Sequence, residues 1–400
     1  MFKNTFRSLA YPNYRYFFFG QGVSLIGTWM QEIAVGWMIY RLTGSPFLLG
    51  AVGFCQNIPV LLLAPFAGAV ADRVNKKKLV IINQFIAFVF ALTLGLMTYF
   101  HWYNLPAIFT VITLLGVVVA IDMPARQSFL MEIVEHPKDI PNAVALNSSL
   151  VHTARLVGPS IGGIIIAAWG ESACYLLNAF SFLVVFIALF FIKPFERSKD
   201  SKKSTFIQNL KEGFHYSWNH SFIRSTLLFV IAISILGMIH PVLLPVYTRE
   251  ILHGDSKMLG MLMASGGIGS LVGALFLASR KDTKGLVSRT SIMVMVFGLA
   301  FFCLAFSRNF YLSCIILMIS GASFTFALSS SNSLVQLHSD EKMRGRVMGI
   351  YTQCFKGMTP FGNGMAGTFA GFFGVSAAFI ISGVLSFASG AFFYKKRKET

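Results

Sequence analysis

The chain has 400 residues, 55% of them hydrophobic and only 12% charged, with a mean hydropathy of +0.67. Soluble domains carry about 25% charged residues, so this chain cannot cover a water-facing surface and reads as a polytopic membrane protein. A soluble enzyme, a nucleic-acid binder and a disordered scaffold are excluded, and the net charge of +17 is accounted for by the placement of the basic residues.

Apolar stretches of about 20 residues, enough to cross about 30 Å of hydrocarbon, recur with short polar breaks. They are predicted at 16–40, 47–71, 79–101, 106–124, 142–169, 172–192, 223–246, 258–278, 287–306, 310–334, 347–372 and 375–394. The first follows Lys3, Arg7 and Arg15 and is too long for the apolar core of a cleaved signal. With the N-terminus inside, 27 of the 33 Lys and Arg residues fall in cytoplasmic segments. Four fall outside (Arg41, Arg249, Lys257 and Arg308), and Arg155 and Lys356 lie within spans. Basic loops stay on the cytoplasmic side. The reading is twelve spans with both termini cytoplasmic, and no nucleic-acid partner.

The longest polar stretch separates spans 6 and 7. It contains Lys199, Asp200, Ser201, Lys202 and Lys203, followed by Phe206, Ile207, Leu210 and Phe214 at helical spacing. That pattern predicts a linker and a helix lying on the cytoplasmic membrane surface. The expected organisation is a six-helix bundle over 1–192, a linker with its amphipathic helix over 193–221, and a second bundle over 222–400. The halves repeat. Ser24 to Gly27 corresponds to Ser234 to Gly237, and Leu49-Gly50 to Leu259-Gly260, at one offset of 210 residues. Span 5 matches span 11 at an offset of 201, pairing Arg155 with Lys356, Pro159 with Pro360 and Gly163 with Gly364. Parallel six-span repeats are the layout of one class of secondary transporter.

After span 2 the chain reads Gly68-Ala69-Val70-Ala71-Asp72-Arg73-Val74-Asn75-Lys76-Lys77-Lys78. This resembles motif A of the major facilitator superfamily, with Asn75 where that motif usually has Gly; Asn tolerates the left-handed backbone a Gly would supply. A positive-inside loop accounts for the lysines but not for Asp72 and the spacing. Gly158-Pro159-Ser160-Ile161-Gly162-Gly163 in span 5 resembles the core of motif C, which that superfamily associates with exporters. Ala145 and Ala154 occupy the motif's earlier Gly positions, and generic close packing is the alternative.

Pro124 to Gln127, Pro141 to Ala143, Met343 to Met348 and Gly27 to Gln31 resemble the enterobactin-exporter and macrolide-efflux branch. The resemblance covers nearly the whole chain. It implies the major facilitator fold, an all-α protein of twelve transmembrane helices in two pseudo-symmetric bundles. It also implies proton-driven export of a siderophore, a drug or a similar small molecule across a bacterial inner membrane. It further implies a cytoplasmic lock, in which Asp72 faces the start of span 11 near Gly345 to Val347. In that lock Lys76 pairs with Asp122, and Gly68, Arg73 and Arg126 complete the gate.

Ionisable residues within spans are costly there and are functional candidates. Glu32 is the one acid well inside a span, about 24 Å along the helix from Tyr16 at 1.5 Å per residue. Gln21, Thr28 and Gly36 fall on roughly its face. Glu32 exchanges the coupled proton, serves as a partner for a buried cation, or lies exposed in the external mouth. Arg155 and Lys356 sit at equivalent places in the two halves. They either face an anionic substrate or neutralise polar groups of neighbouring helices. His152 and His240 are open to a proton path or to ordinary packing.

Gly267 to Gly273 imitates a dinucleotide fingerprint but lies within span 8 with no preceding strand. It reads as small-residue helix packing. The five widely spaced cysteines give neither a disulfide framework nor a metal site, and no cofactor is expected. No HExxH, GxSxG or P-loop is present, so neither an intramembrane hydrolase nor an ATP-driven pump has support. The expected partners are a small-molecule substrate, anionic by the charge of the spans, together with protons and the bilayer, in a monomer. An importer or facilitator of a small metabolite is the alternative, and a non-transporting sensor or assembly factor is the rival from another class.

Overall fold

The computed structural model describes residues 6–71, 74–195, 206–280 and 285–398. Every regular element among them is helical. Helices satisfy their backbone groups internally, as hydrocarbon requires. The first six long helices are α1 (Pro12–Thr43), α2 (Pro46–Ala71), α3 (Lys76–Tyr99), α4 (Leu105–Ile133), α5 (Ile140–Trp169) and α6 (Glu171–Phe191). The amphipathic α7 (Phe206–Asn219) follows, then α8 (Ser221–Gly237) and α9 (Ile239–Val246), which runs into a π-helical turn at Tyr247–Ile251. The last elements are α10 (Ser256–Ala278), α11 (Leu286–Phe306), α12 (Phe310–Leu337), α13 (Arg344–Lys356) and α14 (Thr359–Lys398).

Local sequence sets the helix starts. Asn104 accepts from the Ala107 amide at 3.0 Å, Asp255 from Met258 at 2.9 Å, and Asn309 from Tyr311 and Leu312. Each cap satisfies orphan donors of a first turn. Asn75 does the same for α3, accepting from the Lys78 amide at 3.0 Å. Its φ of −68° and ψ of 111° are extended, so the residue acts as a cap and the left-handed turn expected of it is not adopted.

Ten helical segments are long and apolar enough to cross a membrane. α1 is not among them, because Gln21, Gln31 and Glu32 lower its hydropathy. The segment Arg344–Lys395 counts once among the ten, yet it crosses twice. Gly362 abuts the Ile235 carbonyl, and Ser382 Oγ donates to the neighbouring Leu236 carbonyl at 2.8 Å. A straight helix would separate residues 362 and 382 by about 30 Å. The reversal is at Gly374, whose φ of 82° and ψ of 161° leave the helix and suit glycine. Among the described residues this gives twelve helical stretches of membrane-crossing length, the number the sequence predicts.

Contacts divide the chain into two units, Met1–Met38 with Ile58–Lys202, and Ile39–Asn57 with Lys203–Thr400. In the first, Tyr14, Phe17, Phe129, Ile133 and Leu189 form a buried cluster, and Tyr14 donates to the Ala143 carbonyl at 2.8 Å. In the second, α10 and α12 meet through backbone. A Cβ built on Gly269 would lie 1.9 Å from the Met318 carbonyl oxygen, and one on Gly273 2.2 Å from that of Ala322. The glycine run at 267–273 is a helix-packing stripe, as read from the sequence.

Candidate functional site

Within the first unit, α5 lies against α1 through the glycines of the Gly-Pro segment. A Cβ on Gly158 would stand 2.5 Å from Trp29 Cβ and 2.9 Å from the Ile26 carbonyl oxygen. One on Gly162 would stand 2.8 Å from Ile33 Cγ2. Gly158, Pro159, Gly162 and Gly163 are all buried. Arg155 precedes Gly158 by three residues and Gly162 by seven, so the helix brings it to the same seam. Its guanidinium lies over the Trp29 ring, 5.5 Å from the centroid, within the range of a cation–π contact. Glu32, one turn beyond Trp29, interacts electrostatically with Arg155 and has an exposed side chain. The acid and the cation that the sequence singles out in spans 1 and 5 therefore stand on neighbouring helices of one unit.

The far side of α1 is fixed to α6 by amides. Asn178 Nδ2 donates to Gln31 Oε1 at 2.8 Å, and Ser181 Oγ donates to the Asn178 carbonyl at 2.7 Å. Gly27 makes room, since a Cβ there would meet Asn178 Oδ1 at 2.5 Å. Thr28 is occupied by its own helix, donating to the Ser24 carbonyl at 2.8 Å. Gln21 is buried, and its Oε1 has no hydrogen-bond partner among the described residues. His152 is half-buried.

At the basic end of this unit, Lys76 Nζ pairs with Glu132 Oε1 at 2.7 Å, replacing the Asp122 pairing that the resemblance implies. The reason is the length of α4. It continues through Pro124 to Ile133, carrying Glu132 about 15 Å beyond Asp122. Asp122 is taken instead by Arg126, at 2.6 Å and one turn away, and by Gln84 at 3.4 Å. Lys77 donates to the Ile192 carbonyl at 2.7 Å, and Arg7 pairs with Asp139 at 2.7 Å. Tyr11 also bonds Asp139, at 2.5 Å, which raises its hydroxyl above the ordinary tyrosine range. Gly68 lies in α2, while Asp72 and Arg73 lie outside the described residues.

In the second unit, His240 Nδ1 lies 2.9 Å from the Gly237 carbonyl, and its ring is 5.6 Å from that of Phe301. It stands at the α8–α9 break. Lys356 is exposed in the last turn of α13. Two relationships in this unit were not anticipated from the sequence. Tyr40 donates to Glu250 in the π-helical turn, and Gly50 packs backbone to backbone on Gly367. Residues 39–57 thereby join α14 and the π-helical turn that follows α9.

The sequence profile described as transmembrane secretion effector, a major facilitator profile, matches residues 3–399. The chain belongs to this family. It is 27% identical to the staphyloferrin A transporter of Staphylococcus aureus over 383 residues, covering 95% of each chain. It is 22% identical to the multidrug efflux pump Tap of Mycobacterium tuberculosis, covering 90% of this chain and 86% of the pump. Two solved structures share the fold. The nucleoside transporter NupG has a TM-score of 0.76 at 14% identity, with 97% of this chain and 99% of that one covered. A bacterial homologue of the human lysosomal transporter Spinster, inward-facing and unoccupied, has a TM-score of 0.76 at 13% identity, with 97% of each covered.

In this major facilitator transporter α1 carries an acid, Glu32, within electrostatic reach of Arg155 on the neighbouring α5. The α1–α6 amide network escaped the sequence reading because Asn178 and Gln31 are separated by 147 residues and no periodicity links them. The only available signal was two amides within otherwise apolar spans.

Proposed function

We propose that this transporter exports a siderophore, a drug or a similar small molecule across a bacterial inner membrane, driven by proton influx. Both termini and the basic loops are then cytoplasmic, and the protein acts as a monomer. The observation that supports the mechanism is an acid on α1, Glu32, within electrostatic reach of Arg155 on the adjoining α5. Arg155 stabilises the ionised carboxylate, and a proton arriving at Glu32 releases that interaction. Antiport requires the proton and the substrate to exclude each other. A substrate group held by Glu32 meets that condition, since a proton there removes its partner.

A substrate anion at Arg155 would instead favour protonation of Glu32 and bind together with the proton. An anionic substrate exchanged for protons would therefore have to engage a cation other than Arg155. The Trp29 indole suits a planar or aromatic group. Export is further supported by the glycine-lined approach of α5 to α1 and by the names of the relatives, a staphyloferrin A transporter and a multidrug pump. Gly68, Asp72, Arg73, Lys76, Asp122 and Arg126 are proposed to gate the cytoplasmic side.

The test is efflux from proteoliposomes under an imposed pH gradient, with candidate siderophores and drugs as substrates. Substrate movement against its own gradient, collapsing when the pH gradient is dissipated, is expected. Movement only down the substrate's gradient would instead indicate a facilitator, and no flux at all the non-transporting rival.

A further inference from the structure

The helix α7 has two faces. Gly213 and Ser217 are buried; a Cβ on Gly213 would stand 3.0 Å from Arg346 Cβ, and Glu212 pairs with Arg346 at 2.5 Å. Tyr216 Oη accepts from the Asp340 amide at 3.2 Å. This face is docked on the head of α13. The other face is formed by Lys211, Phe214, His215 and Trp218, spaced as i, i+3, i+4 and i+7, and all four are exposed. Phe214 and Trp218 stack with centroids 5.7 Å apart and planes 16° apart, while remaining 55% and 49% exposed. Arg224, from the first turn of α8, sets its guanidinium 5.8 Å from the Trp218 ring and donates to the Trp218 carbonyl at 3.1 Å.

Two stacked aromatic rings flanked by two cations need a partner that is apolar on one side and anionic on the other. The only acid of α7, Glu212, is turned away to Arg346. Across residues 193–224 there are seven Lys and Arg against three acids. A helix of 14 residues is about 21 Å long, too short to span the hydrocarbon and suited to the interface. Aromatic rings favour the headgroup level. We propose that this face binds an anionic phospholipid, with its phosphate group between Lys211 and Arg224 and its upper acyl chain against the Phe214–Trp218 stack.

The test uses the full chain in phosphatidylcholine vesicles containing a small fraction of brominated phosphatidylglycerol or brominated phosphatidylcholine. The Trp218 signal is taken as the difference between wild type and Trp218→Phe. Each basic residue near an anionic surface weighs about fivefold in lipid preference, so phosphatidylglycerol should be the stronger quencher by at least that factor at low salt. The preference should shrink in Lys211→Gln/Arg224→Gln, with quenching by phosphatidylcholine retained. Should that variant fail to insert, a salt titration of wild type serves, because screening should erode the same preference. Equal quenching by the two lipids in low salt would overturn the proposal. So would no quenching of Trp218 by either, the result expected if a protein segment covers this face.

Discussion

Gly50 and Gly367 approach so closely that a Cβ on Gly50 would lie 2.6 Å from the Gly367 Cα, and one on Gly367 2.7 Å from the Gly50 Cα. Gly53 extends the seam, its Cβ position being 2.8 Å from Asn363 Nδ2. Small residues let helices approach to backbone contact where lipid offers no hydrophobic drive for association. Tyr40, on the same 39–57 segment as Gly50, donates a hydrogen bond to Glu250. A transporter must break some contacts in each cycle, and this seam joins residues 39–57 to α14 with little side-chain interlocking to undo.

Replacing Gly50 or Gly367 with Leu forces side-chain volume into that contact. Overpacking costs about 1–3 kcal/mol, which shifts a conformational equilibrium by about 5- to 150-fold. The expected outcome is a lower yield of bismaleimide cross-linking between Tyr40→Cys and Glu250→Cys in a background lacking the native cysteines. An unchanged yield would mean the seam tolerates the side chain and does not control the packed state.

The corrected partner of Lys76 gives a second prediction. Lys76 and Glu132 are 15% and 24% exposed as side chains, so solvent screens them less than a surface pair. Coupling on the order of 1 kcal/mol is expected between Lys76→Met and Glu132→Gln in a double-mutant cycle on thermal stability in detergent. Lys76→Met and Asp122→Asn should be additive instead, because Asp122 answers to Arg126. Coupling of Lys76 to Asp122 with none to Glu132 would reverse the assignment.

The buried amide pair gives a third. Asn178→Ala leaves Gln31 Oε1 without its donor inside the first unit, at a cost of about 1–3 kcal/mol. Gln31→Leu combined with Asn178→Ala removes both polar groups and should recover much of that loss. A double variant less stable than Asn178→Ala alone would argue that the network contributes beyond this one bond.

The spans were legible because a hydrocarbon core imposes length and apolarity on every crossing, and the pattern repeats. Helix α7 is legible on a different ground, since Phe206, Ile207, Leu210 and Phe214 keep helical spacing outside any span. What could not be read is what depends on distance across the fold. Lys76 was assigned to Asp122 by resemblance, but the extension of α4 to Ile133 places a better acid beside it. Arg155 and Glu32 each stand out within their spans, but that α1 and α5 are neighbours depends on the approach that Gly158 and Gly162 permit. The same sequence stripe of small residues is compatible with many neighbours, so Gly50 and Gly367 carried no sign of each other.

The last prediction concerns Glu32 and the sign of coupling. If the proton and the substrate compete for this carboxylate, lowering the external pH should weaken substrate binding on that side and speed its release. Glu32→Gln mimics the protonated state permanently. It should abolish efflux driven by a pH gradient while leaving slow, pH-independent exchange, and it should remove the pH dependence of binding. Arg155→Gln is expected to act in the opposite sense on the proton. Without its cation Glu32 holds the proton more tightly, so the pH at which binding is lost should rise. A substrate anion seated on Arg155 gives the reverse pattern, with binding strengthened by acid and lost in Arg155→Gln at every pH. Binding isotherms across pH for wild type and the two variants separate the cases. Acid-strengthened binding in wild type would rule out Glu32 as a shared site and, with it, this route to antiport.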